Sequence, residues 1–210
     1  MSAVSLFVMG TIGIWIIVNV VVSKLRRLYR TAKGADNGLR LASATIARDL
    51  VPLVRKHLNP SSKIYLTGGD GEPISKKSYR WYSDLQQWLR LGCEIYYLLI
   101  EPSDAAILQL EKLAKQFPGK LEVVTIPKID NIQSENARIF AKSLRTFHPT
   151  LFELGDGNKA IWLERFHPSR STIAYDCEFF PPKSKNIEEK YAKLFEDIMA
   201  IKQIGAVSAI

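Results

Sequence analysis

From Ala3 to Val22 the chain reads AVSLFVMGTIGIWIIVNVVV, twenty residues without a charge, broken only by Ser5, Thr11 and Asn19. At about 1.5 Å per residue a helix of this length spans about 30 Å, one bilayer core. Basic residues follow the run rather than precede it, which fits a retained anchor better than a cleaved signal peptide. Lys24, Arg26, Arg27, Arg30 and Lys33 all lie just beyond it. Cations next to a span stay on the cytosolic side, so the N-terminus is expected outside and the rest of the chain inside. The expected organisation is a transmembrane helix over 1–23, a basic juxtamembrane segment over 24–37 and one cytosolic α/β domain over 38–210.

Gly34-Ala-Asp-Asn-Gly38 reads as a turn-like joint between membrane and domain. Ile46, Leu50, Leu53, Val54 and His57 then recur at helical spacing, with Pro52 predicting a kink. Short apolar runs alternate with helical patterns after that. Strands are expected at Ile64–Thr67, Glu94–Ile100 and Leu121–Ile126. Helices are expected between them: Ser75–Leu91, with Tyr82, Leu85, Trp88 and Leu89 on one stripe, and a second capped by Ser103, bearing Ile107, Leu110, Leu113 and Phe117. This order argues for a parallel βαβαβ core with right-handed crossovers. A helix from Ser134 to about Thr146 leads into Thr150–Leu154, the turn Gly155-Asp-Gly-Asn158 and Lys159–Arg165, a predicted antiparallel hairpin. Another strand is expected from Ser171 to Phe180. Asn186 and Glu189 have the spacing of a capping box opening a final helix with Ile187, Tyr191, Leu194, Phe195 and Ile198. The fold class is therefore α/β, a single mixed sheet.

The formal charge of +8 changes little once it is located. Residues 24–59 hold nine Lys/Arg against two Asp, a net +7, leaving twenty cations and nineteen anions for residues 60–210. The basic character belongs beside the membrane, where it meets anionic lipid head groups, and argues against a nucleic-acid partner. Cys93 and Cys177 stand far apart without CxxC spacing, as reduced thiols of a cytosolic domain do.

Two regions are candidates for chemistry. The loop Thr67-Gly68-Gly69-Asp70-Gly71-Glu72-Pro73 follows the first core strand and precedes a helix, where open α/β sheets bind ligands. Its glycines can present backbone N–H groups to an anion, and Asp70 or Glu72 can take a metal or a ribose hydroxyl. It matches neither GxGxxG nor GxxxxGK[ST], and also reads simply as a Gly-rich turn. The second region is Glu164, His167, Arg170, Asp176 and Glu178. Strand alternation places Asp176 and Glu178 on one face, with Glu164 nearby if the strands pair. A His with two carboxylates suffices for acid–base catalysis or a metal site, although the same residues also read as a salt-bridged rim. His148 is expected at a helix end, where a cation suits the dipole, and His57 on an apolar stripe; both read as structural. Three separated His and two isolated Cys argue against a zinc site, and the identity of any cofactor is left open by the sequence. No GxSxG elbow is present. Tyr79, Trp81, Tyr82 and Trp88 cover about two faces of one helix, so part of this set is expected to form an exposed aromatic patch for a protein partner or the membrane.

The element order, with a helix leading into the hairpin Leu151–Glu164 and Asp156-Gly157 at its turn, resembles half of a phospholipase D-like domain. That family carries His-x-Lys-x-x-x-x-Asp followed by Gly, and the His attacks a phosphodiester. Aligning Asp156-Gly157 puts Pro149 at the His position and Leu151 at the Lys position, with His148 one residue out of register. The resemblance covers roughly residues 60–200 and implies the family's fold without its catalysis.

These features lead to the expectation of a single-pass membrane protein whose cytosolic domain senses a ligand, such as a small phosphorylated molecule, or binds a protein. The alternative is a membrane-tethered phosphodiesterase- or phosphatase-like enzyme acting on a nucleotide or lipid head group, which requires the 68–72 loop and the Glu164 cluster to converge. A third reading makes the anchor the working part, with Gly10, Gly13 and Asn19 promoting homodimerisation.

Overall fold

The computed structural model describes residues 39–42, 54–71, 74, 81–166, 175–204 and 206–208. The anchor and the basic segment expected over 1–37 lie outside these residues, as do Glu72, Tyr79, His167 and Arg170. Among the described residues no helix is long and apolar enough to cross a membrane.

The strands are β1 (Leu39–Ala42), β2 (Lys63–Gly68), β3 (Glu94–Ile100), β4 (Leu121–Ile126), β5 (Phe147–Glu153), β6 (Lys159–Phe166), β7 (Tyr175–Phe180) and β8 (Ala206–Ser208). Among the described residues the α-helices are α1 (Trp81–Arg90), α2 (Asp104–Gln116), α3 (Glu135–Ser143) and α4 (Ile187–Lys202). All eight strands join one mixed sheet in the order β1-β7-β6-β5-β2-β3-β4-β8. The core β2-β3-β4 is parallel, β5 runs antiparallel to β2, and β5-β6-β7 form an antiparallel meander. The expected βαβαβ unit and hairpin are thus present, and two short strands that periodicity did not reveal, β1 and β8, close the edges.

Both faces of the sheet are covered, because the apolar strands alternate between two cores. Ile64, Leu66, Ile95, Tyr97, Leu99, Phe152 and Trp162 meet α1 and α2 on one face. Tyr65, Leu98, Ile100, Val124, Leu151 and Ile161 meet α3 and α4 on the other. Burial on both faces explains why these strands read as near-continuous apolar runs.

Three local expectations are corrected. The aromatic patch does not form from Trp81 and Trp88: both are buried and pack edge to face, centroids 5.4 Å apart, while Tyr82 is half-buried against the same core. The turn of helix carrying Trp81 is needed to cover the sheet, so both indoles face inward. The helix expected to reach Thr146 ends at Ser143, and His148-Pro149 already belongs to β5. Finally, the capping box at Asn186 is not made. Asn186 has a left-handed backbone (φ 56°) and its side chain bonds no helix N–H. Asparagine tolerates that conformation, so it serves the turn rather than the cap. Ser103 and Ser134 do cap, each side chain accepting from the N–H three residues on.

Candidate functional site

Hairpin geometry determines what Glu164 faces. The turn closes with Leu154 N–H donating to Asn158 O (2.8 Å) and Gly157 N–H to Leu154 O (2.8 Å), and Gly157 takes φ 79°. Glu153 then pairs with Lys159, and counting outward along the ladder pairs His148 with Glu164. On β6's other side Glu164 is opposite Cys177, so its parity differs from that of Asp176 and Glu178. The strands do pair, which sets Glu164 on the strand beside Asp176 and Glu178, but its parity places it on the opposite face of the sheet from those two. Asp176 stands in register with Arg165 and Ala42, and Glu178 is half-buried on β7.

His148 Nδ1 lies 4.0 Å from Glu164 Oε2, with the Glu164 side chain 7% and the His148 side chain 21% exposed. Burial pushes the Glu164 carboxyl up to about 8, and it pushes His148 below its usual range. A hydrogen bond to the Leu144 backbone and the charge of Asp70 oppose the His148 shift. Near pH 7 the pair is thus mainly protonated carboxyl beside neutral imidazole, a correction to the expectation of a cationic His148 at a helix end. Its Nε2 is buried without a hydrogen-bond partner among the described residues.

The glycine loop meets this pair at the carboxyl end of β2. Pro149 has no N–H for the ladder, and the Thr67 hydroxyl donates to its carbonyl (2.8 Å), tying β2 to β5 beside His148. Ser103 N–H donates to Asp70 O (2.9 Å), which fixes the loop to the start of α2. Gly71 has φ +73°, and a Cβ there would come within 2.6 Å of Ala106 Cβ; one on Gly68 would crowd Leu99 and Tyr97. These two glycines are therefore explained by packing. Gly69 has open space around its Cα, and the Asp70 side chain is exposed. Tyr97, from β3, completes the wall: its hydroxyl accepts from Trp81 Nε1 (3.3 Å) and is pushed up to about 12 by burial, with Glu164 and Asp70 adding to the shift.

Of the second region, Glu164 alone is thus brought to the α1 face beside the loop end of β2, next to His148 and Tyr97, while Asp176 and Glu178 stand at strand positions of the other parity. Neither His148 nor Tyr97 had been assigned a role there. A signal did exist, because His148 lies as many residues before the hairpin turn as Glu164 lies after it. Leu151, at the position of the phospholipase D-like lysine, is fully buried in the opposite core. Among the described residues no group of three His, Cys, Asp or Glu is arranged to hold a metal ion. Both cysteines are buried thiols, and burial pushes Cys93 up to about 11, which leaves it protonated.

No family model and no curated protein matches the chain. Among solved structures it is similar to TrmBL2, an archaeal chromatin protein described with a novel mode of DNA binding: 11% identity over 96% of this chain and 67% of that one, TM-score 0.46. It is also similar to polyphosphate kinase from Porphyromonas gingivalis, at 10% identity over 84% of this chain and 25% of that one, TM-score 0.41. Likenesses at this level say nothing about function.

Proposed function

We propose that the chain is a single-pass membrane protein, N-terminus outside, whose cytosolic α/β domain is a ligand-sensing module. The ligand sits at the carboxyl edge of β2 and β3, against Gly69, Asp70, His148 and Glu164. The observation that carries this reading is the convergence of the glycine loop with the His148–Glu164 pair, at the position where open α/β sheets bind ligands. Support for the membrane part is the uncharged run Ala3–Val22 with its trailing cations. Pro149 and Leu151, standing where the resembling family has its His and Lys, favour binding over phosphodiester cleavage.

The alternative, a membrane-tethered phosphodiesterase- or phosphatase-like enzyme, draws on the same convergence. His148 held neutral and Glu164 held protonated are a base and an acid whose environments move them in opposite directions. The test is thermal shift of the full chain in neutral detergent with nucleotides, phospholipid head groups and divalent cations, beside turnover assays on chromogenic phosphomonoesters and phosphodiesters. Sensing predicts that a ligand raises the melting temperature, that Glu164→Gln or His148→Ala removes the rise, and that no turnover occurs. Turnover abolished by the same substitutions would establish the enzyme instead. A panel without any shift or turnover would contradict both.

A further inference from the structure

The opposite end of α1 carries a second opening. Trp81, beside Tyr97, and Arg90 are the first and last of ten helical residues, so at about 1.5 Å per step the two ends lie about 14 Å apart along the helix. There a cavity of about 310 Å³ is lined by Arg55, Gln87, Trp88, Arg90 and Leu91, a volume at the lower end of small-ligand sites. Arg55 is on the short 3₁₀ turn Arg55–His57 that leads into β2; Gln87 and Arg90, three residues apart, share one face of α1.

The chemistry of this lining is one-sided. Two exposed guanidiniums flank one opening, and neither forms an ion pair among the described residues. Like charges around a cleft repel, and an anion between them turns that repulsion into attraction. The Gln87 amide adds a donor. Trp88, whose indole N–H is buried without an acceptor among the described residues, belongs to the wall. Leu91, 42% exposed, gives an apolar rim. Planar forks that bond two oxygens at once suit phosphate better than a single carboxylate.

We propose that the Arg55–Arg90 cleft is an anion site that takes a phosphate group, with both guanidiniums on its oxygens. Its position at the amino edge makes it separate from the His148–Glu164 site. The phosphate can come from a soluble phosphomonoester or from a lipid head group, and the experiment separates these sources.

Arginine modification by phenylglyoxal, quantified peptide by peptide, reads the site on the full chain. One arm adds glycerol 3-phosphate or inorganic phosphate to the chain in neutral detergent. The other compares nanodiscs of phosphatidylcholine alone with nanodiscs containing phosphatidic acid. Modification follows the free fraction, so a probe at ten times its Kd slows Arg55 and Arg90 about tenfold while Arg165 is unaffected. Arg90→Gln removes the protection at Arg55, and Arg55→Gln removes it at Arg90; either variant suffices if the other does not fold. Protection in the soluble arm alone assigns a soluble ligand, and protection in the nanodisc arm alone assigns a head group. Equal rates in every arm, or slowing of Arg165 to the same degree, would overturn the proposal.

Discussion

Burial alone lifts the Glu164 carboxyl from an ordinary 4.5 to about 8, so between those values the folded chain keeps a proton that the unfolded chain gives up. Stability contributed at this position therefore falls as pH rises through that window, by about 1.4 kcal/mol per pH unit, and levels off above it. His148 works in the other sense. Its imidazole is held below the ordinary 6.5, so the unfolded chain takes up the proton first and stability is lost as pH drops below 6.5. The two slopes oppose each other below pH 6.5 and only the Glu164 slope remains above it. Urea denaturation of the wild type and Glu164→Gln should show a stability difference that moves in the variant's favour from pH 6.5 to 8. A pH-independent difference would mean that Glu164 is ionised in the fold. The glycines make an independent prediction. Gly71→Ala places a Cβ against Ala106 at a left-handed φ and should cost about 1–3 kcal/mol in urea denaturation. Gly69→Ala meets nothing within 4 Å and should cost much less.

Helix and strand boundaries were legible where the signal was local. Glu94–Ile100 and Leu121–Ile126 were expected with the bounds observed, because an apolar run between a Gly and a polar turn leaves little freedom for its ends. Ser103 was a recognisable cap for the same reason, and Ser134, expected only as a helix start, also caps. β1 and β8 were not legible: four and three residues carry no usable period, and their pairing with β7 and β4 is decided across the fold. Asn186 failed differently, since spacing cannot tell a capping side chain from a residue chosen for a left-handed turn. The difference is measurable. Ser103→Ala should cost about 1 kcal/mol through its lost cap. Asn186→Gly should be neutral or mildly stabilising, and Asn186→Ala should cost about 1 kcal/mol, because φ 56° suits Gly and disfavours Ala. If Asn186→Gly were the more damaging change in urea denaturation, the side chain would be a cap after all.

Across the whole molecule, parallel strands direct their carboxyl ends to one edge and the antiparallel meander brings the start of β5 and the end of β6 to that same edge. Sequence order alone does not reveal this, since Gly69 and Glu164 are far apart in the chain and meet only through the β2–β5 and β5–β6 registers. The candidate residues were therefore visible one by one, while their partners, His148 and Tyr97, emerged from topology. The amino edge collects a different chemistry, the Arg55 and Arg90 guanidiniums, so the two ends of α1 differ in charge as well as position. The proposed site requires the loop and the hairpin to lie together: the Thr67 hydroxyl ties the end of β2 to Pro149, and the Asp70 charge favours the His148 imidazolium. The most direct measurement is the NMR titration of the His148 imidazole in the full chain and in Asp70→Asn. A midpoint below 6.5 is expected in the wild type and a still lower one in the variant, because removing the carboxylate takes away a charge that favours the imidazolium. An unchanged midpoint on losing Asp70 would contradict the shared site.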